Sequence, residues 1–132
     1  MVEASYALRM KISRLTATTP EPMAPDHFEG SVTRHDYGQI DAPAGTALRV
    51  RFSTGARTHW HSHPGGQVLF VTEGRGRVGS RDGRVERIAA GDLVVAAPDE
   101  EHWHGAAEDD GVEHLALSFG DTAWAEPVDG EA

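Results

Sequence analysis

Gly55-Ala56-Arg57-Thr58-His59-Trp60-His61-Ser62-His63-Pro64-Gly65-Gly66-Gln67 is the stretch whose reading decides the fold. In a strand, residues two apart share a face, about 6.5–7 Å apart along the chain. His61 and His63 therefore project together and can chelate one ion. Pro64-Gly65-Gly66 breaks the strand and lets the chain bend. Gln67 opens the next run, with its side chain able to aim back at the same point, and His102, one hairpin and one strand later, can close the set. A lone histidine such as His27 or His35 is most simply a surface or core residue. His-x-His ahead of a turn, with His102-Trp103-His104 downstream, is a ligand pattern.

Outward from this stretch the chain reads as strand after short strand. Residues 57 to 63 make one strand. Upstream, Leu48, Val50 and Phe52 alternate with Arg49 and Arg51, the period-2 pattern of a half-buried strand. A first strand falls within 28–45 and a loop at 41–45. Downstream, Gln67 to Thr72 is apolar on both faces, which predicts burial on both, one face in a barrel and the other against a sheet or subunit. Gly74-Arg75-Gly76 is expected to turn the chain. Asp82-Gly83 between 77–80 and 85–88 is a hairpin signal. Strands follow at 93–97, 102–107 and 113–119. Regular short strands with Gly and Pro turns imply an all-β sandwich or barrel in a single domain. Residues 1–27 read as an N-terminal extension and proline-rich arm, 28–124 as the barrel, and 125–132 as a C-terminal tail. Within the arm, 1–9 carries no pattern, and 18–27 is expected to lie across the surface or a neighbouring subunit.

Composition narrows the function. The 132 residues carry 12 Lys and Arg against 21 Asp and Glu, a net charge of -9. An acidic surface argues against nucleic acid and anionic membranes as partners. With no long apolar run and no signal-peptide hydrophobic region, the expected location is the cytoplasm. There is no cysteine, so any metal must be held by nitrogen and oxygen donors. Six of the eight histidines, His59, His61, His63, His102, His104 and His114, fall in the C-terminal two thirds.

The spacing Gly55, five residues, His61-Ser62-His63, three residues, Gln67, six residues, Gly74 resembles the first motif of the cupins, with Gln67 where that motif has Glu. Gly91, Pro98 and His102 resemble the looser second motif, with Glu100 where a Gly is usual. The resemblance implies a double-stranded β-helix of cupin type, jelly-roll-like, holding one divalent metal ion through His61, His63, Gln67 and His102. Narrower phrases, Trp60-His61-Ser62-His63-Pro64, Gly66-Gln67, Glu101-His102-Trp103-His104-Gly105-Ala106 and His114-Leu115-Ala116, are similar to the bacterial cupin-type hydroxynitrile lyases. That similarity implies manganese as the ion, His114 as a catalytic base, and Leu48, Val50 and Ser118 as pocket residues. It departs at His59, where the pattern has a small residue.

Chemistry agrees with a non-redox role. A neutral Gln67 leaves the ion its full charge, which favours a Lewis acid and makes higher oxidation states harder to reach. Fe²⁺, Ni²⁺ and Zn²⁺ remain alternatives to Mn²⁺ for such donors. His114 shares parity with Ala116 and Ser118 and can face the interior as a base. His59 shares parity with His61 and His63, as a substrate contact, a donor behind the ligands, a fourth imidazole or a rim residue in water. Thr58, Leu69 and His104 complete the expected pocket, with His104 orienting solvent or the pocket mouth. The leading reading is a lyase acting on a small carbonyl or cyanohydrin compound. The alternatives are a cupin oxygenase or isomerase, and a small-molecule-binding cupin without turnover. A homodimer or homotetramer is expected from the doubly apolar strand and the arm.

Overall fold

The computed structural model describes residues 10–130, so the reading of residues 1–9 and the last two residues of the C-terminal tail lie outside the described residues. Its strands are β1 (Glu21–Pro22), β2 (Phe28–Glu29), β3 (Val32–Asp41), β4 (Ala44–Phe52), β5 (Arg57–Thr58), β6 (His61–Ser62), β7 (Gln67–Ser80), β8 (Val85–Ala89), β9 (Leu93–Ala96), β10 (His102–Ala106), β11 (Val112–Phe119) and β12 (Ala123–Trp124). Helix is confined, among the described residues, to single 3₁₀ turns at Leu15–Ala17 and Pro25–His27. No helix there is long and apolar enough to cross a membrane.

All strands pair antiparallel. One side of the barrel runs β1-β3-β4-β11-β7-β9 and the other β8-β7-β10-β5-β2, with β6 also on β10 and β12 beyond it. β7 belongs to both sides. Gln67–Gly74 pairs with β11, and Gln67–Phe70 also with β9. Arg75–Gly79 pairs with β8, and Gly76–Ser80 with β10. The turn expected at Gly74-Arg75-Gly76 is therefore a bend within one 14-residue strand. Gly74 has φ +77°, and a Cβ there would run into the carbonyl oxygen of Gly111. Glycine in a strand interior often marks such a bend or close approach. The loop expected at 41–45 shrinks to Ala42-Pro43, because Asp41 already pairs with Ala44.

Phe52, Val71, Val112, Ala106 and Ile88 pack together in the core. The inner face of β11 sets three further rows. Val50, His114 and Val71 are cross-strand partners, as are Leu48, Ala116 and Leu69, and Thr46, Ser118 and Gln67. The outer face of β7 and β9 is open in the single chain: Phe70, Leu93 and Val95 are 41%, 61% and 67% exposed. Within the single chain the barrel face of β7 is buried, and the face expected to meet a sheet or subunit is the open one.

The terminal segments lie against the chain's own barrel. β1 pairs with β3, and Lys11 and Ser13 donate hydrogen bonds to the carbonyls of Gln39 and Tyr37. At the other end, Trp60 and residues 125–126 exchange backbone hydrogen bonds. Arg57 donates to the carbonyls of Val128 and Gly130 at 3.2 and 2.8 Å. Beside it the guanidinium groups of Arg57 and Arg77 each stand 5.5 Å from the buried ring of Trp103.

Candidate metal centre

The strand expected over 57–63 is broken at His59-Trp60 into β5 and β6. The break decides which histidines converge. His61 on β6 and His102 on β10 are cross-strand partners, with ring centroids 4.5 Å apart. One ring nitrogen from each of His61, His102 and His104 lies within 4.8 Å of the other two, a group able to hold a metal ion. His63, just past β6, has its ring centroid 5.0 Å from that of His61 and 5.8 Å from that of His102. All four rings are buried.

Hydrogen bonds fix which nitrogen each ring offers. His61 Nδ1 is 2.9 Å from the His59 carbonyl, and His102 Nδ1 is 3.0 Å from that of Glu100. A carbonyl only accepts, so both rings carry their proton on Nδ1 and a lone pair on Nε2. His63 Nδ1 meets Thr122 Oγ1 at 3.2 Å, and its Nε2 is buried without a hydrogen-bond partner. Gln67 donates from Nε2 to Ser118 Oγ at 2.9 Å, which turns Oε1 to within 2.9 Å of His102 Nε2. Two lone pairs then face each other. That arrangement is repulsive unless a positive charge lies beside both, and the donor set fits a bound cation.

Burial supports neutral rings. Desolvation, with His102 nearby, pushes His61 down to about 3. The same two causes take His63 to about 4. Burial lowers His102, and holds His104, which also faces other imidazoles, well below the usual histidine range. Burial takes His114 to about 4. Five neutral imidazoles in one interior are five lone pairs available to a cation or a proton.

His104 is buried. Its backbone N–H donates to Thr58 Oγ1 at 3.2 Å, its Nδ1 is 3.3 Å from His114 Nε2, and its Nε2 has no partner. His114 Nδ1 is likewise buried without one. The pair has two tautomers with opposite consequences. If His114 donates, His104 keeps a proton on Nε2 and is a donor. If His104 donates, its Nε2 lone pair joins the three-histidine group.

The bend at His59-Trp60 cancels the parity that would align His59 with His61. The His59 ring stands 6.4 Å from that of His27, and it is the backbone carbonyl that serves His61. Val50, Thr58, Leu69 and Ser118 are buried and Leu48 is half-buried, in the interior rows and strands named above. Two contributors escape sequence reasoning. Thr122 reaches His63 from a loop. Trp124 pairs with His61 across β12 and β6, its ring 4.8 Å from the imidazole and stacked on His27 at 4.3 Å. Neither carries a motif.

Comparison with known proteins places this arrangement. Residues 48–118 match the model of the cupin domain. The (R)-mandelonitrile lyase of Granulicella tundricola is 40% identical over 124 residues, covering 93% of this chain and 89% of that protein. A cupin-like protein from Thermotoga maritima is 36% identical with a TM-score of 0.77, over 83% of this chain and 86% of that one. The polyketide cyclase RemF from Streptomyces resistomycificus, at 19% identity, has a TM-score of 0.72 over 93% of this chain and 88% of that one, a likeness of fold alone.

Proposed function

The chain belongs to the cupin family, and from that premise we propose that it is a metal-dependent lyase that splits a small cyanohydrin into a carbonyl compound and cyanide. The observation that carries the reading is the pairing of Gln67 Oε1 with His102 Nε2, a neutral donor set turned toward a cation. His61, His63, Gln67 and His102 would hold the ion, and Mn²⁺ is the ion we assign. Bound there with its charge undiminished by a carboxylate, a divalent ion supplies a Lewis acid for the hydroxyl or carbonyl oxygen. A relative named as a mandelonitrile lyase supports the substrate class.

His114 is the base. It takes the hydroxyl proton of the cyanohydrin as the carbon–oxygen double bond forms. The carbon–carbon bond breaks, and its electron pair leaves with cyanide. Its Nδ1 has no hydrogen-bond partner and is the atom that carries the lone pair when Nε2 donates to His104. In that tautomer the His104 Nε2–H is a donor for the departing cyanide, which leaves as hydrogen cyanide once it recovers the proton from His114. Thr58 gives its hydroxyl oxygen to the His104 amide and keeps its own proton for a substrate oxygen. Leu48, Val50, Leu69 and Ser118 line the space around the reacting carbon.

Protein loaded with Mn²⁺ and given mandelonitrile is expected to release benzaldehyde. Chelation should abolish the release, and His114→Ala should lower it by at least a hundredfold. Turnover that is indifferent to His114 would sink the assignment of the base. No release by protein shown to contain metal would sink the lyase. The three-histidine group of His61, His102 and His104 favours a second reading. With His104 as a ligand and Gln67 aside, an iron-dependent oxygenase becomes the better fit. Oxygen uptake by the iron-loaded protein distinguishes the two.

We further propose that the exposed Phe70, Leu93 and Val95 face is covered by a second copy of the chain. Light scattering of wild type and Leu93→Asp is expected to give a dimer and a monomer respectively.

A further inference from the structure

β8 and β9 are both edges. Among the described residues each pairs only with β7, on opposite halves of that strand, and no ladder joins the two, so they diverge from it as two jaws. Between the jaws lies a cleft of about 450 Å³. Leu69, Val78, Ile88 and Val94 give it apolar walls, and it reaches inward to His102. Val94 stands across from Leu69, on the β7 half that starts at Gln67. Val78 is the cross-strand partner of His104. The cleft therefore meets the imidazole cluster at His102, along the edges of β8 and β9.

The arginines at its mouth are already paired. Arg84 holds Glu86 at 2.8 Å, and Arg87 holds Glu108 through two contacts of 2.8 and 2.7 Å. Asp92 and Glu100 add carboxylates at the same rim. A negatively charged substrate would have to displace an ion pair and pass acidic groups. An uncharged apolar group meets neither cost, and it removes apolar wall from water.

Resting on the lyase reading, we propose that this cleft is the specificity pocket: it receives the substituent on the carbonyl carbon, and it selects an uncharged aryl or branched alkyl group. Entry between β8 and β9 puts the substituent against Val94 and Ile88 and leaves the polar end of the substrate beside His102. Small changes in such a pocket alter selectivity by tens to a few hundredfold.

The test uses benzaldehyde as probe, in binding and in turnover. In the diamagnetic, Zn²⁺-loaded protein, amide chemical shifts are expected to move at Val78, Ile88 and Val94. Val94→Trp should raise the dissociation constant for benzaldehyde at least tenfold. In the Mn²⁺-loaded protein it should lower the benzaldehyde-to-acetaldehyde ratio of kcat/KM, in the direction of cyanohydrin synthesis, by a similar factor. Val94→Ala should move the ratio of 2-naphthaldehyde to benzaldehyde the other way, and 4-carboxybenzaldehyde should bind at least tenfold more weakly than benzaldehyde. Shifts confined to Leu48, Val50 and Ser118, or ratios that ignore both Val94 variants, overturn the pocket while the lyase stands. Shifts at β8 and β9 without turnover of any aldehyde retain the pocket and overturn the lyase.

Discussion

At the Phe52–Val112 end of the barrel the interior is closed by side chains that offer only carbon, whereas farther along the same strands, at Gln67 and Ser118, it is lined by nitrogen and oxygen. The backbone differs little between the two ends: both are antiparallel rows across β4, β11 and β7. The side chains differ entirely. At the apolar end every buried contact favours folding. At the polar end two lone pairs face each other and His63 Nε2 lacks a partner, while between the two ends His104 and His114, each with a ring nitrogen likewise unpartnered, stand 5.7 and 5.4 Å from the Phe52 ring. The first end stabilises the barrel, and the second is held in an arrangement that would be costly if nothing filled it.

The sharpest way to break this comparison is to truncate one residue at each end. Phe52→Ala is expected to destabilise by about 3–5 kcal/mol, as large core truncations do. His102→Ala, in metal-free protein, should cost far less or even stabilise, since it removes a buried polar ring. Chemical denaturation of both variants decides, and equal losses would refute the division. Next in size is the effect of the ion. Mn²⁺ at a hundredfold excess over its dissociation constant should add about 2.7 kcal/mol of stability. That gain should vanish in His61→Ala, as followed by Tm.

Acid should act first on the buried imidazoles. The buried His61, His63 and His114 have folded values of about 3 to 4 against an ordinary 6.5. The unfolded chain therefore binds protons first. The contribution of these rings is complete above 6.5 and drains away as pH falls from there toward 4. The slope is roughly 1.4 kcal/mol per pH unit for each ring. Denaturation of metal-free protein between pH 7 and 4 measures it, and a flat profile would show that the rings are not buried neutral. The smallest effect belongs to Ser118→Ala, which strands the Gln67 amide N–H at a cost of about 1 kcal/mol. A several-fold weaker affinity for Mn²⁺, read by titration, is the expected outcome.

What the sequence disclosed and what it hid divide along physical lines. The Gly55 to Gly74 spacing is local, and strand alternation suffices to bring His61 toward His63. The Asp82-Gly83 turn is local too, and the hairpin of β7 and β8 forms around it. Alternation cannot register a bend, so the break at His59-Trp60 is not legible in the sequence, and shared parity alone leaves the role of His59 open. Glycines mark a bend without saying whether the strand resumes, and at Gly74 it resumes as the second half of β7. His104 shares parity with His102, but its tie to His114 is a cross-barrel contact that spacing does not encode. Thr122 and Trp124 reach the site through the return of the chain end, which leaves no local signature.

That return has a consequence for how the protein is made. His61 is the cross-strand partner of Trp124, and Trp60 exchanges backbone hydrogen bonds with residues 125–126. A chain still growing on a ribosome has its eighth histidine, His114, ten residues before it has Trp124. The order of synthesis thus keeps the histidine cluster unfinished until Trp124 has emerged, and a chain released short of Trp124 would carry these eight histidines but not the segment that pairs with His61.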